Sequence, residues 1–177
     1  MNDPSTRRTR TYILIVGLVL IGASMVTAQR LPIPSGTSKQ PASNLIEAID
    51  YTRSAYEIEL LAVSTYEAAL ATPYLKGEAK ALATRHYENH KRHTKMLLDL
   101  LDDLGGKYDD IKPVKKNYNW IESEQQILEH LIKAEQNSEK ELSTDTKKTK
   151  LSKAHTVLER IRDDERAHLK SYEPYKK

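Results

Sequence analysis

The chain has 177 residues, a length that suits one domain, with 28 Lys and Arg against 25 Asp and Glu and a formal net charge of +3. It contains no Cys, which excludes disulfide frameworks, thiolate zinc sites, iron–sulfur clusters and cysteine nucleophiles and leaves His and carboxylates as the main metal-ligating side chains. Two of the three net charges belong to the first 28 residues (Arg7, Arg8 and Arg10 against Asp3), so residues 29–177 carry only +1; so small a charge gives no general attraction to phosphate backbones, and nucleic acid is not an expected partner.

The basic stretch Arg7-Arg8-Thr9-Arg10 precedes an uncharged run over residues 11–29 whose centre, residues 13–21, is almost wholly aliphatic. This is a basic n-region followed by an apolar h-region. Val26 and Ala28 stand at the −3 and −1 positions of a signal-peptidase site, so cleavage after Ala28 is one expectation. The other is an uncleaved anchor, because the run sits at the lower edge of the roughly 17–25 residues that span a bilayer, with the arginines holding the amino terminus in the cytoplasm. Both readings place the remaining chain outside the cytoplasmic membrane, as a periplasmic or secreted domain or one anchored to that membrane by residues 11–29. Residues 29–43 combine three Pro with Ser, Thr, Gly and Gln, the composition of a solvated linker without a core of its own.

The rest, residues 44–177, reads as four amphipathic helices. Asn44 with Glu47 makes a capping-box-like start, and apolar periodicity continues until Thr72-Pro73, predicting a first helix over 44–71. A second runs over 75–104 and stops at Gly105-Gly106, where glycine readily takes the left-handed C-terminal cap. Residues 106–118 contain Pro113 and have no helical pattern; Asn119 with Glu122 then suggests the cap of a third helix ending at Ser143 or Lys147. The polar stretch over 144–150 leads into a fourth helix that stops before Pro174. A 13-residue loop reaches roughly 43–47 Å when extended, and a 25-residue helix is about 37 Å long. The loop between helices 2 and 3 is therefore long enough to cross the length of a bundle. The expected fold is all-α: two helical hairpins joined by one long crossover.

Each predicted apolar stripe is interrupted near its middle by an ionisable group. Helix 1 reads Leu45, Ile49, Thr52, Tyr56, Glu59, Val63, Tyr66, Leu70, and helix 2 reads Leu82, His86, His90, His93, Leu97, Leu100, Leu104. Helix 3 carries Glu135 between Leu131 or Ile132 and Ser138, and helix 4 carries Glu165 and His168 between Ile161 and Tyr172. Buried carboxylates need a cation, a hydrogen-bond partner or a proton. Glu165 and His168, at i and i+3, share one helical face and can offer an oxygen and a nitrogen to the same divalent ion. In helix 3, Glu129 competes with Glu135: if Glu135 and Glu165 share a level, the turn between their helices should centre near residue 150, whereas the most polar part of the linker centres nearer 146.

With these residues in view, residues 44–172 resemble the ferritin-like superfamily of rubrerythrin- and bacterioferritin-type bundles, including its poorly characterised exported branch. Glu59 followed by Tyr66 is similar to the family's ligand Glu and the Tyr seven residues after it, and Asp164-Glu165-Arg166-Ala167-His168 is similar to its acidic Glu-x-x-His signature. The resemblance implies a core metal site built from Glu59, His90, His93, Glu135, Glu165 and His168, holding iron or manganese and oxidising iron or disproportionating a peroxide. In Asn89-His90-Lys91-Arg92-His93 the chain departs from the pattern, because His90 stands where a bridging Glu is expected; Glu88, about 200° around the helix, cannot replace it. A mononuclear or asymmetric site follows from that departure, suited also to zinc, copper or nickel, as does a site that has decayed to a structural polar layer. The rival function is a noncatalytic metal-binding or protein-interaction domain of the cell envelope, with a homo-oligomer or another protein as partner.

Overall fold

The computed structural model describes residues 42–119 and 121–176, and among these there are helices but no strands. The predicted export or anchor segment and all of the linker except Ala42 and Ser43 lie outside the described residues. None of the described helices is long and apolar enough to cross a membrane.

Helix α1 spans Ala42–Leu70, so Asn44 lies within its first turn rather than at its cap. Helix α2 spans Gly77–Leu104. It ends in a Schellman arrangement in which Gly106 N–H donates to the Leu101 carbonyl at 2.8 Å and Gly105 N–H to Asp102 at 3.1 Å. Gly105 makes this turn with φ of 70°, a left-handed value that disfavours a β-carbon. Helix α3 spans Glu124–Lys148 and starts later than the Asn119–Glu122 pair suggests. Its cap is Ser123, whose hydroxyl accepts from Gln126 N–H, while the Gln126 side chain accepts from Glu122 N–H at 2.9 Å, a close variant of the reciprocal capping box. At the other end α3 absorbs most of the stretch expected to be linker. Thr144 and Thr146 turn their hydroxyls onto the carbonyls of Lys140 and Leu142, four residues back, so these polar residues continue the helix. The connection to α4, which spans Ser152–Ser171, is reduced to residues 149–151. It centres on residue 150, the position that puts Glu135 and Glu165 at one level.

Short turns make α1 with α2 and α3 with α4 antiparallel hairpins. Packing fixes how the hairpins meet. Tyr66 near the end of α1 shares an apolar cluster with Leu82 near the start of α2, Leu128 and Leu131 near the start of α3, and Tyr172 after α4. A second cluster joins Ala55, Leu97, Leu142, Leu158 and Ile161. Helices α2 and α3 therefore run parallel and α1 and α3 antiparallel, which requires the chain to cross the whole bundle between Leu104 and Glu124. The crossover lies along α1: Arg53 donates to Lys107 O and pairs with Asp110, and Ser64 accepts from Lys116 N–H. Lys76 N–H, just before α2, donates to Glu124 Oε1, tying together the two helix starts that the crossover brings to the same end.

The buried face of α1 differs from its predicted stripe. Ala48, Thr52, Ala55, Glu59, Ala62, Tyr66 and Ala69 are buried, whereas Leu45 and Ile46 are exposed. The spacing is the expected alternation of three and four, moved by one residue at every second position. Alanines face inward because they let the neighbouring helices approach closely, and the larger Ile49, Val63 and Leu70 sit half-buried at the edges of the seam.

Candidate metal centre

Between the two apolar clusters, all four helices present ionisable side chains at one level. Glu59 comes from α1, His90 and His93 from α2, Glu135 from α3, and Glu165 and His168 from α4; each is at most 3 % exposed. The structure thus brings all six sequence-predicted residues together. Glu129 is exposed and bonded by Gln125, so of the two helix 3 candidates only Glu135 reaches the cluster. Tyr56 stays outside, half-buried with its ring edge-on to Tyr108.

Donor atoms form two overlapping sets, Glu59, His90, His93 and Glu165 in one and His90, Glu135, Glu165 and His168 in the other, the atoms of each set lying within 4.8 Å of one another. His90 Nδ1 is 2.8 Å from Glu59 Oε2 and its Nε2 is 3.2 Å from Glu135 Oε1. Glu165 Oε1 lies 3.5 Å from His90 Nδ1, 3.6 Å from His93 Nδ1 and 3.7 Å from His168 Nδ1. Five buried side-chain polar atoms among the described residues lack a hydrogen-bond partner, and four of them meet here: Glu59 Oε1, both oxygens of Glu165, and His93 Nδ1. Buried polar atoms are normally satisfied, and such a concentration of lone-pair donors is the arrangement a divalent ion completes.

Without an ion, protons balance the charge. Burial pushes the Glu59 and Glu135 carboxyls up, but the charge of His90 beside them outweighs it, and both are held below the ordinary carboxylate range. Burial likewise disfavours an imidazolium at His90, where Glu165, Glu59 and Glu135 prevail and raise it well above its usual value. His93 is raised to about 10 against its burial by the carboxylates of Glu165, Glu59 and Asp164 around its ring. Glu165 moves the other way: burial, reinforced by the Glu59 and Glu135 charges, keeps it protonated well above the usual range despite His90. An ion entering the cluster therefore displaces protons from His90, His93 and Glu165.

The outer nitrogens of the imidazoles are held from behind. His93 Nε2–H donates to Asp164 Oδ2 at 3.0 Å, and Asn89 Nδ2 donates to His168 Nε2 at 3.0 Å. Carboxylates and amides in these positions fix ring orientation around metal sites. Asp164, adjacent to Glu165 and readable as solvated charge, thus supports the cluster. Sequence reasoning left His86 without a defined role; here it is buried, stacked on His168 with ring centroids 4.0 Å apart, and bonded to Tyr66 and Ser171. Burial and the neighbouring His168 imidazole depress it to about 3, so it stays neutral. The Tyr66 hydroxyl donates to Glu135 Oε1, completing a chain of hydrogen bonds from Ser171 through His86 and Tyr66 to Glu135. His86 already lies on the α2 stripe four residues before His90, and that spacing was the available signal. Ser171 and His86 line a groove of about 520 Å³ between α2 and α4, with His168 in its wall and Arg85, Glu88 and Arg92 around it.

Solved structures with the same architecture match the chain, among them the following two. A ferritin-like, diiron-carboxylate protein from Bacillus anthracis aligns with a TM-score of 0.60 at 18 % identity, covering 73 % of this chain and 95 % of that one. The diiron bacterioferritin of Desulfovibrio desulfuricans aligns with a TM-score of 0.60 at 21 % identity, covering 75 % and 79 %. The shared fold is a ferritin-like four-helix bundle with one long crossover. No protein-family model and no curated protein matches the sequence, so the likeness lies in the ferritin-like bundle rather than in close sequence kinship. Within that bundle the chain places a buried cluster of His and Glu whose chemistry fits a metal ion.

Proposed function

We propose that this chain is a metal-binding ferritin-like bundle in which Glu59, His90, His93, Glu135, Glu165 and His168 hold a pair of iron or manganese ions. The observation that carries this reading is the pair of overlapping four-donor sets at the centre of the bundle, with unsatisfied carboxylate oxygens between them. Iron is favoured because both structural neighbours are described as diiron proteins. A redox-active pair held there would supply the electrons to reduce dioxygen or a peroxide. The chain's own residues would hold the ions, keep them apart from bulk water, and carry protons between the α2–α4 groove and Glu135 along Ser171, His86 and Tyr66. The absence of cysteine removes any thiolate electron-transfer module, so reduction would come from an external donor.

A second reading, a noncatalytic site that sequesters or hands on zinc or copper, is favoured by the three imidazoles among six donors, a nitrogen share suited to those ions. In either case residues 1–28 would carry the bundle across the cytoplasmic membrane, or tether it there, with residues 29–43 as spacer. Cell fractionation with protease protection tests that placement; a bundle recovered intact from the cytoplasm overturns it.

Elemental mass spectrometry on the full chain, purified without chelator or histidine tag, tests the metal reading. About two iron or manganese ions per chain are expected, and their loss in a Glu165→Ala, His168→Ala variant. Retention of metal by that variant, or failure to bind after reconstitution with iron, manganese, zinc and copper in turn, overturns it.

A further inference from the structure

Resting on the metal-binding reading, we infer that His90 bridges the two metal positions through its own ring, one nitrogen to each ion, in place of a bridging carboxylate. A carboxylate offers two oxygens on the same end of one group, whereas an imidazole offers two nitrogens pointing away from one another. His90 uses both. Nδ1 faces Glu59 at 2.8 Å and Glu165 at 3.5 Å; Nε2 faces Glu135 at 3.2 Å. The ring is thus set across the boundary between the two donor sets, and it is fully buried.

The arrangement is reciprocal between the hairpins. The first hairpin supplies Glu59, His90 and His93, and its His90 reaches Glu135 of the second. The second supplies Glu135, Glu165 and His168, and its Glu165 reaches His93 of the first. Each position then has two imidazoles and two carboxylates, Glu59, His90, His93 and Glu165 on one side and His90, Glu135, Glu165 and His168 on the other, with His90 Nδ1 beside Glu59 and Nε2 beside Glu135. This composition moves preference from the hard, oxygen-bound ions toward copper, zinc and iron. The proton balance is simple. In the ion-free protein His90 carries an N–H on each ring nitrogen; the first ion displaces one of these protons to water and the second ion the other, leaving an imidazolate with one nitrogen on each ion.

The bridge has a magnetic signature, because two copper(II) ions on one imidazolate share spin density through the ring and couple antiferromagnetically. The full chain is loaded with copper(II), its copper content measured, and its electron paramagnetic resonance signal integrated at low temperature. The expected result is two coppers per chain with an integrated signal well below the copper content. His90→Asn and His90→Gln each keep a polar group on one side of the ring's place and should give a signal equal to whatever copper they bind, with circular dichroism reporting that they are folded. Wild-type protein loaded with one copper and one zinc should also recover a signal equal to its copper, a comparison that requires no variant. Two coppers with a full signal, coupling that survives either substitution, or a mixed-metal form that stays silent would each overturn the bridge. A wild-type chain that takes only one copper overturns the bridge while leaving the metal-binding reading intact; one that takes no divalent ion at all overturns both.

Discussion

At the scale of single residues, the centre of this bundle holds its charges by exchanging protons among neighbours. His90 and His93 are held charged by the carboxylates around them, and Glu165 is held neutral by burial, reinforced by the charges of Glu59 and Glu135. His86, one turn before His90, is held neutral for the opposite reason: it faces burial and other imidazoles more than carboxylates. Its folded-state value of about 3 lies below the unfolded value of 6.5, so the unfolded chain takes up the proton first. Stability from His86 is therefore complete above pH 6.5 and is lost as pH falls toward 3, by a few kcal/mol at the acid limit. Thermal melts of the ion-free protein and of His86→Gln between pH 7 and pH 4 should show the wild-type melting temperature falling more steeply. Parallel profiles would mean that His86 is not kept neutral by the fold.

At the scale of elements, the alanine face of α1 sets how closely the helices meet. Ala55 is fully buried in the cluster of Leu97, Leu142, Leu158 and Ile161, one helical turn before Glu59. Ala55→Leu inserts three carbons into that seam and should destabilise the fold by about 1–3 kcal/mol, lowering the denaturation midpoint. Because the same seam positions Glu59, metal affinity should fall with it. The reverse control is Glu57→Ala on the exposed face of α1, which should leave the midpoint within roughly 0.5 kcal/mol of wild type. Gly106 belongs to the same close packing, since a β-carbon there would sit 3.1 Å from Ile49 Cγ2 and 3.0 Å from Leu101 Cδ2.

At the scale of the whole molecule, the two apolar clusters on either side of the polar level let the bundle fold without its ion, and the ion then adds stability by mass action. With free metal at about 1,000 times its dissociation constant the gain is about 4 kcal/mol, so melting temperature should rise steadily with metal concentration while circular dichroism stays helical at both ends of the titration. A chain that is unfolded until metal is added would overturn this picture. Since bound metal displaces protons from His90, His93 and Glu165, the gain should shrink as pH falls.

Much of this organisation is legible along the chain. Periodicity marks four helices, Gly105-Gly106 and Pro73 mark their ends, and the polar residues at His90, Glu135 and Glu165 stand out because helical spacing makes an interruption of an apolar face visible. Other features have no such local signature. The sequence alone points to large apolar residues on α1, but only packing shows that the alanines face inward, because burial depends on what a neighbouring helix can approach. Glu129 competes with Glu135 in sequence until α3 continues through Thr146 and moves the turn to residue 150. The supporting contacts of Asp164 with His93 and of His86 with Tyr66 join residues 71 and 20 positions apart. What the sequence determined is which groups are available and the period on which they recur; the tertiary structure decided which of them meet, because the distance between two side chains on different helices depends on how those helices pack and not on their separation along the chain.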